Sequence, residues 1–413
     1  MNKLIQSLCF FSFFSAIILY DIKSFPFYIF WGASLSLCIA YLIKAFINHK
    51  IKKSTLYVLI LNTVWILWSL LNFPIIKDFN DFISFTIVTI FYSLSCAIIC
   101  EYTFNSDARL IYKYVKIASV SFVLVSFLSL INYISNNDRS DFSGLFSNRN
   151  TFAITAIFLI IALITSYKSA VGEYLLPRKD KITLYFLLFS LSILILLTKS
   201  MKGFLSLFII YAILNIRLTP KMILVSIFFI FTFIFIAFIH QNPLSERIYT
   251  FIYSVTTPSE LNISESSYIR MNLILDGLNI INEHPIIGVG INQSRYYLFP
   301  EYYILLFERG VKPILSGEYS HNNYIEIALN GGIPALILYY FPIIYSLYYL
   351  IKKKNKASSF TIRVCILLIF LKFFYDYGMV SYKEFFNILS ISFVFAYIIK
   401  LKNENVKCTR KNI

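Results

Sequence analysis

Twelve apolar runs, most of them long enough to cross a lipid bilayer, dominate this sequence of 413 residues. A membrane-spanning helix needs roughly 17–25 mostly apolar residues to cross a hydrocarbon core about 30 Å thick. The runs cover residues 4–20, 25–47, 56–76, 82–100, 117–134, 152–167, 182–198, 204–216, 222–239, 324–351, 360–375 and 385–399. They are continuous and do not alternate between apolar and polar residues, which favours helices over strands. The sequence therefore predicts an all-α polytopic membrane protein with about twelve transmembrane helices.

The composition supports a membrane environment. Apolar residues make up 58% of the chain and charged residues only 14%, whereas soluble globular domains carry about 25% charged residues. So few polar side chains could not cover a water-exposed body of this size. The 37 Lys and Arg exceed the 21 Asp and Glu, but they fall in the segments between the runs, where positive charge sets membrane orientation. Nucleic-acid binding is therefore excluded as the explanation for the excess of Lys and Arg over Asp and Glu.

The distribution of Lys and Arg predicts which ends of the runs face the cytoplasm. Most of these residues lie in cytoplasmic segments if the chain starts in the cytoplasm and crosses the membrane at every run. We therefore expect helices one to nine in residues 1–240, a periplasmic loop in 241–323, helices ten to twelve in 324–400 and a cytoplasmic basic tail in 401–413. Both termini are then cytoplasmic.

The 241–323 loop, between the ninth and tenth helices, is large enough to fold by itself. Apolar residues recur at helical spacing within 266–281 and predict an amphipathic helix with one packed face. They are Ile269, Leu273, Ile274, Leu278 and Ile281. Pro285 and the glycines of 288–290 are expected to end this helix.

Cations collect on the outer side of the expected topology, where one histidine joins them. They are Arg139, Arg149, Lys199, Lys202, Arg270, Arg295 and Arg309, together with His321. Charges inside the runs, which would mark an ion pathway, are nearly missing. Because arginine binds phosphate oxygens in a bidentate manner, a positive pocket without metal-ligand spacing predicts a lipid diphosphate substrate and no cofactor.

Four motifs occur in a fixed order along the chain. Residues 143–150 read SGLFSNRN, Arg270 is followed by a helix and HPIIGVG at 284–290, SHNNY closes the loop at 320–324, and GIPA follows at 332–335. In this order, on a frame of twelve spans, the chain resembles the O-antigen ligase and polymerase superfamily. The resemblance extends from about residue 137 to the C-terminus, and the His-Asn closure of the loop is its most specific element.

The resemblance implies an inverting glycosyl transfer at the periplasmic face of the bacterial inner membrane. An undecaprenyl-diphosphate-linked glycan would be passed to a sugar hydroxyl without metal, ATP or another cofactor. Arg270 matches the loop arginine that would bind the diphosphate and stabilise it as it leaves. His321 matches the histidine that would orient or deprotonate the acceptor hydroxyl. The remaining residues expected to bind diphosphate or glycan are Asn322, Lys202, Lys199, Arg139 and Arg149.

The sequence departs from the family pattern at the start of the eighth run. The family usually carries an arginine there, after a Ser or Thr, and this chain has Met201 in that position. Lys202 or Lys199 would then have to supply the positive charge, although lysine does not copy the bidentate fork of arginine.

Three functions remain open at this point. The favoured one is a ligase that joins O-antigen to lipid A–core. The second is a polymerase that uses the same donor and extends O-antigen or a capsular polysaccharide by repeat units, with the growing glycan as acceptor. The third is a flippase of polyprenyl-linked sugars, which would need charged residues deep in several spans and pseudo-symmetric halves. In each case the partners are a lipid-linked glycan and membrane lipid, and no nucleic acid is involved.

Overall fold

A computed structural model of the chain describes residues 2–19, 25–49, 51–135, 142–144, 146, 148–174, 176–214, 266–298, 319–353 and 359–411. Within these residues the chain forms helices, turns and loops, and no β-strand. The predicted class, an all-α polytopic membrane protein, is confirmed.

Twelve α-helices are present in the described residues and are numbered in chain order. They are α1 (Asn2–Leu19), α2 (Phe25–Ile47), α3 (Lys53–Ser69), α4 (Phe79–Asn105), α5 (Ala108–Ser135), α6 (Arg149–Glu173), α7 (Arg178–Leu197), α8 (Met201–Leu214), α9 (Ser266–Glu283), α10 (Asn323–Lys353), α11 (Ser359–Asp376) and α12 (Phe385–Lys411). Two 3-10 helices, Leu70–Ile75 and Ser294–Tyr296, are also present. Because α12 continues to Lys411, most of the expected tail at 401–413 extends the last helix.

Nine helices of the described residues are long and apolar enough to cross a membrane. They are α1 to α7, α10 and α12, and they correspond to predicted runs one to seven, ten and twelve. The short eighth run forms α8, a helix of 14 residues. The eleventh run forms α11, which also contains Arg363, Lys372 and Asp376. The ninth run, 222–239, lies outside the described residues.

Helix α6 lies at the centre of the bundle, in contact with α5, α7, α8, α11 and α12. Small and apolar side chains along it, including Ala153, Ala156 and Leu163, are fully buried. Small residues let helices approach closely, which is how helices associate in lipid. Large apolar side chains on peripheral helices, such as Phe46 and Phe189, are exposed and form a surface suited to lipid.

Helix α10 is not one continuous span, although the sequence predicts a single run over 324–351. Its backbone leaves helical geometry at Gly331 (φ −149°, ψ 21°) and Gly332 (φ 72°, ψ −174°). In an unbroken helix Asn323 and Tyr340 would be about 25 Å apart, at 1.5 Å per residue. Instead, Asn323 Nδ2 donates to the Tyr340 hydroxyl at 2.9 Å. The chain therefore folds back at the two glycines, and residues 323–330 form a separate half-helix.

The segment 284–290 covers the backbone at this fold-back. Three backbone hydrogen bonds join it to α10: Val289 N to Leu329 O (2.6 Å), Gly290 N to Asn330 O (3.2 Å) and Ile333 N to Pro285 O (2.8 Å). From α3, Trp68 Nε1 donates to Gly331 O at 3.0 Å. Non-helical backbone at membrane depth requires such partners within the protein. The end of the bundle where 284–298 packs on α3, α4 and α10 is called the loop end.

Helix α9 confirms the helix predicted over 266–281. Its buried residues Leu273, Gly277 and Ile281 are spaced four apart and form one stripe. A Cβ added at Gly277 would lie 2.5 Å from Ile325 Cγ2, so that glycine lets α9 approach the half-helix closely. Leu278, which the sequence placed on the packed face, is 44% exposed because the contact passes through its glycine neighbour instead.

Candidate functional site

The turn between α11 and α12, residues 377–382, joins the start of α8 to the start of the half-helix. Lys202 Nζ, at the start of α8, donates to Gly378 O. Asn322 Nδ2, at the start of the half-helix, donates to Tyr377 O at 3.3 Å. Consecutive residues of one turn therefore hold two of the residues that the sequence analysis assigned to substrate binding.

Asn322 caps the half-helix. Its Oδ1 accepts from the backbone N–H of Tyr324 at 2.9 Å and of Ile325 at 3.3 Å. A side-chain cap of this kind satisfies amide groups that have no partner inside the helix. Because its Nδ2 is bonded to Tyr377, both ends of the Asn322 amide have partners within the protein, and this geometry favours a role in fixing the start of the half-helix.

His321 lies between two anchored neighbours. Ser320 is fully buried, and its N and Oγ donate to Glu326 Oε2 at 3.1 and 2.8 Å; Asn322 is fixed as described above. His321 itself is partly exposed, and its ring lies 4.2 Å from the Tyr319 ring, centroid to centroid. Its φ of 53° lies in the left-handed region, which costs a non-glycine residue about 1–3 kcal/mol and recurs at functional sites.

Lys202 and Arg270 lie within electrostatic reach of each other. The Arg270 guanidinium and the Asp376 carboxylate are the charged groups that act on the partly buried Lys202 ammonium. The loop arginine on α9 therefore acts electrostatically on the start of α8, although the two residues are far apart in sequence. Each of two neighbouring cations destabilises the charged form of the other. A bound anion would relieve that repulsion.

Lys199 and Arg149 lie at the same end of the bundle. Ser200 Oγ donates to Asn150 Oδ1 at 2.8 Å, which connects the turn before α8 to the start of α6. Lys199, the residue before Ser200, has an exposed side chain and a left-handed φ of 51°. Arg149, the residue before Asn150, is the first residue of α6. Arg139 lies outside the described residues.

Arg295 is used to attach the 284–298 segment to α4. It forms an ion pair with Asp81, and the Tyr296 hydroxyl donates to Asp78 Oδ2 at 2.8 Å. Burial, and next the hydrogen bond to Asp78, raises the pKa of Tyr296 because both disfavour the phenolate. Among the other outer cations, Arg309 lies outside the described residues.

Sequence reasoning missed the 377–382 turn and the ion pair beside it. Few charges lie inside the runs, yet Lys372 in the eleventh run is buried and pairs with the buried Asp376 that follows it in α11. The signal was a lysine near the end of the eleventh run and an aspartate directly after that run, four residues apart, a spacing that puts both on one helix face. Ionisable residues in such a position are expected to be functional.

Part of the chain matches a known protein family. Residues 185–340 match a family model described as O-antigen ligase, which confirms the predicted resemblance and indicates a function of the O-antigen ligase or polymerase type. The match includes Lys199, Lys202, Arg270, His321 and Asn322. No curated protein matches the chain.

Proposed function

We propose that this protein is a glycosyltransferase of the bacterial inner membrane that acts as an O-antigen ligase. It transfers O-antigen polysaccharide from undecaprenyl diphosphate to a sugar hydroxyl of lipid A–core, with inversion at the transferred anomeric carbon. Its site faces the periplasm, and both termini are cytoplasmic. The family match supports the class of reaction, and the donor, the acceptor and the ligase role are the proposal.

The observation that carries the proposal is the position of Lys202. Its Nζ donates to Gly378 O, next to the residue whose carbonyl binds Asn322, and its ammonium interacts electrostatically with the Arg270 guanidinium. A diphosphate supplies negative oxygens that both cations can bind, and the arginine can do so in a bidentate manner. As the bond between sugar and diphosphate breaks, negative charge grows on the leaving oxygen. The two cations then stabilise the transition state more than the bound substrate, which is the condition for a faster reaction.

His321 is assigned to the acceptor. The acceptor oxygen forms its bond to the anomeric carbon while the bond from that carbon to the diphosphate oxygen breaks, and the hydroxyl proton passes to the His321 imidazole. The chain of contacts from Asn322 through Tyr377 and Gly378 to Lys202 supports a single site in which the histidine and the cations act on one substrate.

Lys202 takes the role of the arginine expected at Met201. Its ammonium acts on the diphosphate as a point charge, since a lysine has no planar fork. The exposed Lys199 and the partly exposed Arg149, at the same end of the bundle, attract the anionic donor to the site.

Deletion of the gene, followed by gel analysis of the surface polysaccharide, tests this function. For a ligase we expect loss of all attached O-antigen and accumulation of lipid-linked polymer. A core that carries a single repeat unit would identify a polymerase instead. Lipid-linked glycan retained on the cytoplasmic side would identify a flippase.

Substitutions in the complemented strain test the assigned residues. Arg270→Ala and His321→Ala should each abolish most transfer while the protein stays in the membrane, and the double variant should be little worse than either, because the two act as a unit. Arg109→Ala and His49→Ala are matched controls away from the loop end; His49 also has a left-handed φ, of 46°. Normal surface glycan in either site variant would contradict the assignment.

A further inference from the structure

A buried ion pair lies in α11 next to the candidate site. Lys372 Nζ is 2.6 Å from both carboxylate oxygens of Asp376, and the two side chains are 2% and 0% exposed. Removing two charges from water is costly, and replacing such a pair with apolar residues of similar size is often neutral or stabilising. Stability alone therefore does not explain why α11 contains it.

The Asp376 carboxylate connects three parts of the protein. The Tyr340 hydroxyl, from the second part of α10, donates to Oδ2 at 2.7 Å. Ser381 Oγ, from the 377–382 turn, donates to Oδ1 and accepts from Lys372 Nζ at 2.6 Å. The charged pair thus binds the turn to α10 and α11 through side chains that are all buried.

Asn323 extends this network to the segment that carries His321. Its Nδ2 donates to the Tyr340 hydroxyl at 2.9 Å, and its Oδ1 accepts from the backbone N–H groups of Ser381 and Tyr382 at 2.9 and 3.0 Å. Asn323 follows His321 by two residues, and every hydrogen bond in this chain is buried. A displacement of Asp376 would therefore reach the histidine through two side chains.

We propose that Lys372 and Asp376 are positioning residues for glycosyl transfer, because together they fix the 377–382 turn that holds Asn322, Asn323 and Lys202. The inference rests on the proposed function. A catalytic group must be held within a fraction of an ångström of its productive geometry by neighbours that are themselves locked. A misplacement of about 1 Å can lower a rate by about 100-fold.

The chain contains a matched control at the opposite end of the bundle. Glu101 of α4 is also buried, pairs with Lys52 at 2.6 Å, and accepts from the hydroxyls of Thr55 and Tyr41. It thus has the same set of partners as Asp376, a lysine, a tyrosine and an aliphatic hydroxyl, but it is remote from the 377–382 turn.

The test compares purified full-length variants in nanodiscs. The donor is lipid-linked polymer, and the acceptor lipid A–core, both extracted from the deletion strain. Lys372→Met combined with Asp376→Leu removes both charges, so we expect a melting temperature near that of the wild type. The kcat should fall about 10- to 100-fold, with the KM for donor changed less than about threefold. Lys52→Met combined with Glu101→Leu should keep the wild-type kcat.

A second, milder variant keeps the proposal testable if the first does not fold. Tyr340→Phe removes only the hydroxyl between Asp376 and Asn323, and should lower kcat in the same way, whereas Tyr41→Phe should not. A wild-type kcat in Tyr340→Phe, or in the folded double variant, would overturn the inference. A wild-type protein that transfers no glycan would instead overturn the proposed function, and His321→Ala serves as the inactive reference.

Discussion

Replacing Gly332 with alanine tests how the fold-back of α10 is built. Gly332 has φ 72° and ψ −174°, a region that is open essentially to glycine alone. A Cβ added there would lie 2.6 Å from Pro285 O and still closer to the carbonyl group of Ile286. These are backbone atoms and cannot rotate away, so the alanine must push the 284–290 segment off α10.

The expected loss can be worked out from these two effects. The backbone conformation costs alanine about 1–3 kcal/mol, and overpacking a close-fitting interior typically costs about 1–3 kcal/mol more. We therefore expect the free energy of unfolding to fall by about 2–6 kcal/mol. Separation of the two segments also strains the hydrogen bond from Ile333 N to Pro285 O, so transfer should decrease as well.

Unfolding of the purified protein in detergent, followed by intrinsic fluorescence, measures the change. Gly172→Ala is the matched control, because its added Cβ would meet no atom within 4 Å apart from the adjacent backbone of its own helix. Gly172 lies in the last turn of α6, so there alanine should be neutral or should stabilise by at most about 0.5–1 kcal/mol. If Gly332→Ala unfolded at the same midpoint as the wild type, the reasoning about the fold-back would be refuted.

Three further predictions concern charge, topology and a buried amide. Lys202→Met should lower transfer about 10-fold or more, since a hydrogen-bond donor to the developing negative charge is worth roughly 2.7–4 kcal/mol. Lys199→Met should lower transfer by a smaller factor. Equal amounts of attached glycan in the two strains would contradict this prediction. Reporter fusions at Ser259 and Asn355 should report opposite sides of the membrane. The same side for both fusions would contradict the expected topology. Asn72→Leu should lower the free energy of unfolding by about 1–3 kcal/mol, because the backbone carbonyls of Ile287 and Asn330 lose a donor. An unchanged denaturation curve would count against that.

The spans could be predicted because hydrophobic length is a local property of the chain. The same holds for α9, where apolar residues at helical spacing, followed by Pro285, gave both the helix and its end. Its packed face was predicted less well, because the burial of Gly277 and the exposure of Leu278 depend on which helix lies opposite. Apolar spacing identifies a face, and the partner decides which stripe of that face is in contact.

The candidate site was predicted only in part, for a physical reason. Arg270 and His321 followed from motifs, which are local in sequence. The turn that connects the site was missed because its contacts join residues far apart: Lys202 and Gly378 are 176 positions apart. The fold-back at Gly331 and Gly332 was missed because the apolar pattern of α10 continues across it, and the pattern does not register a change of direction.

The order in which the chain is synthesised bears on this fold-back. Residues 284–290 leave the ribosome before Gly331 and Gly332, so the carbonyl of Pro285 and the N–H of Val289 already exist when the half-helix is made. The polar backbone of the break can then find its partners as it enters the membrane. A circular permutant that began at residue 319 would reverse this order and deliver the same break to the bilayer with those groups not yet translated.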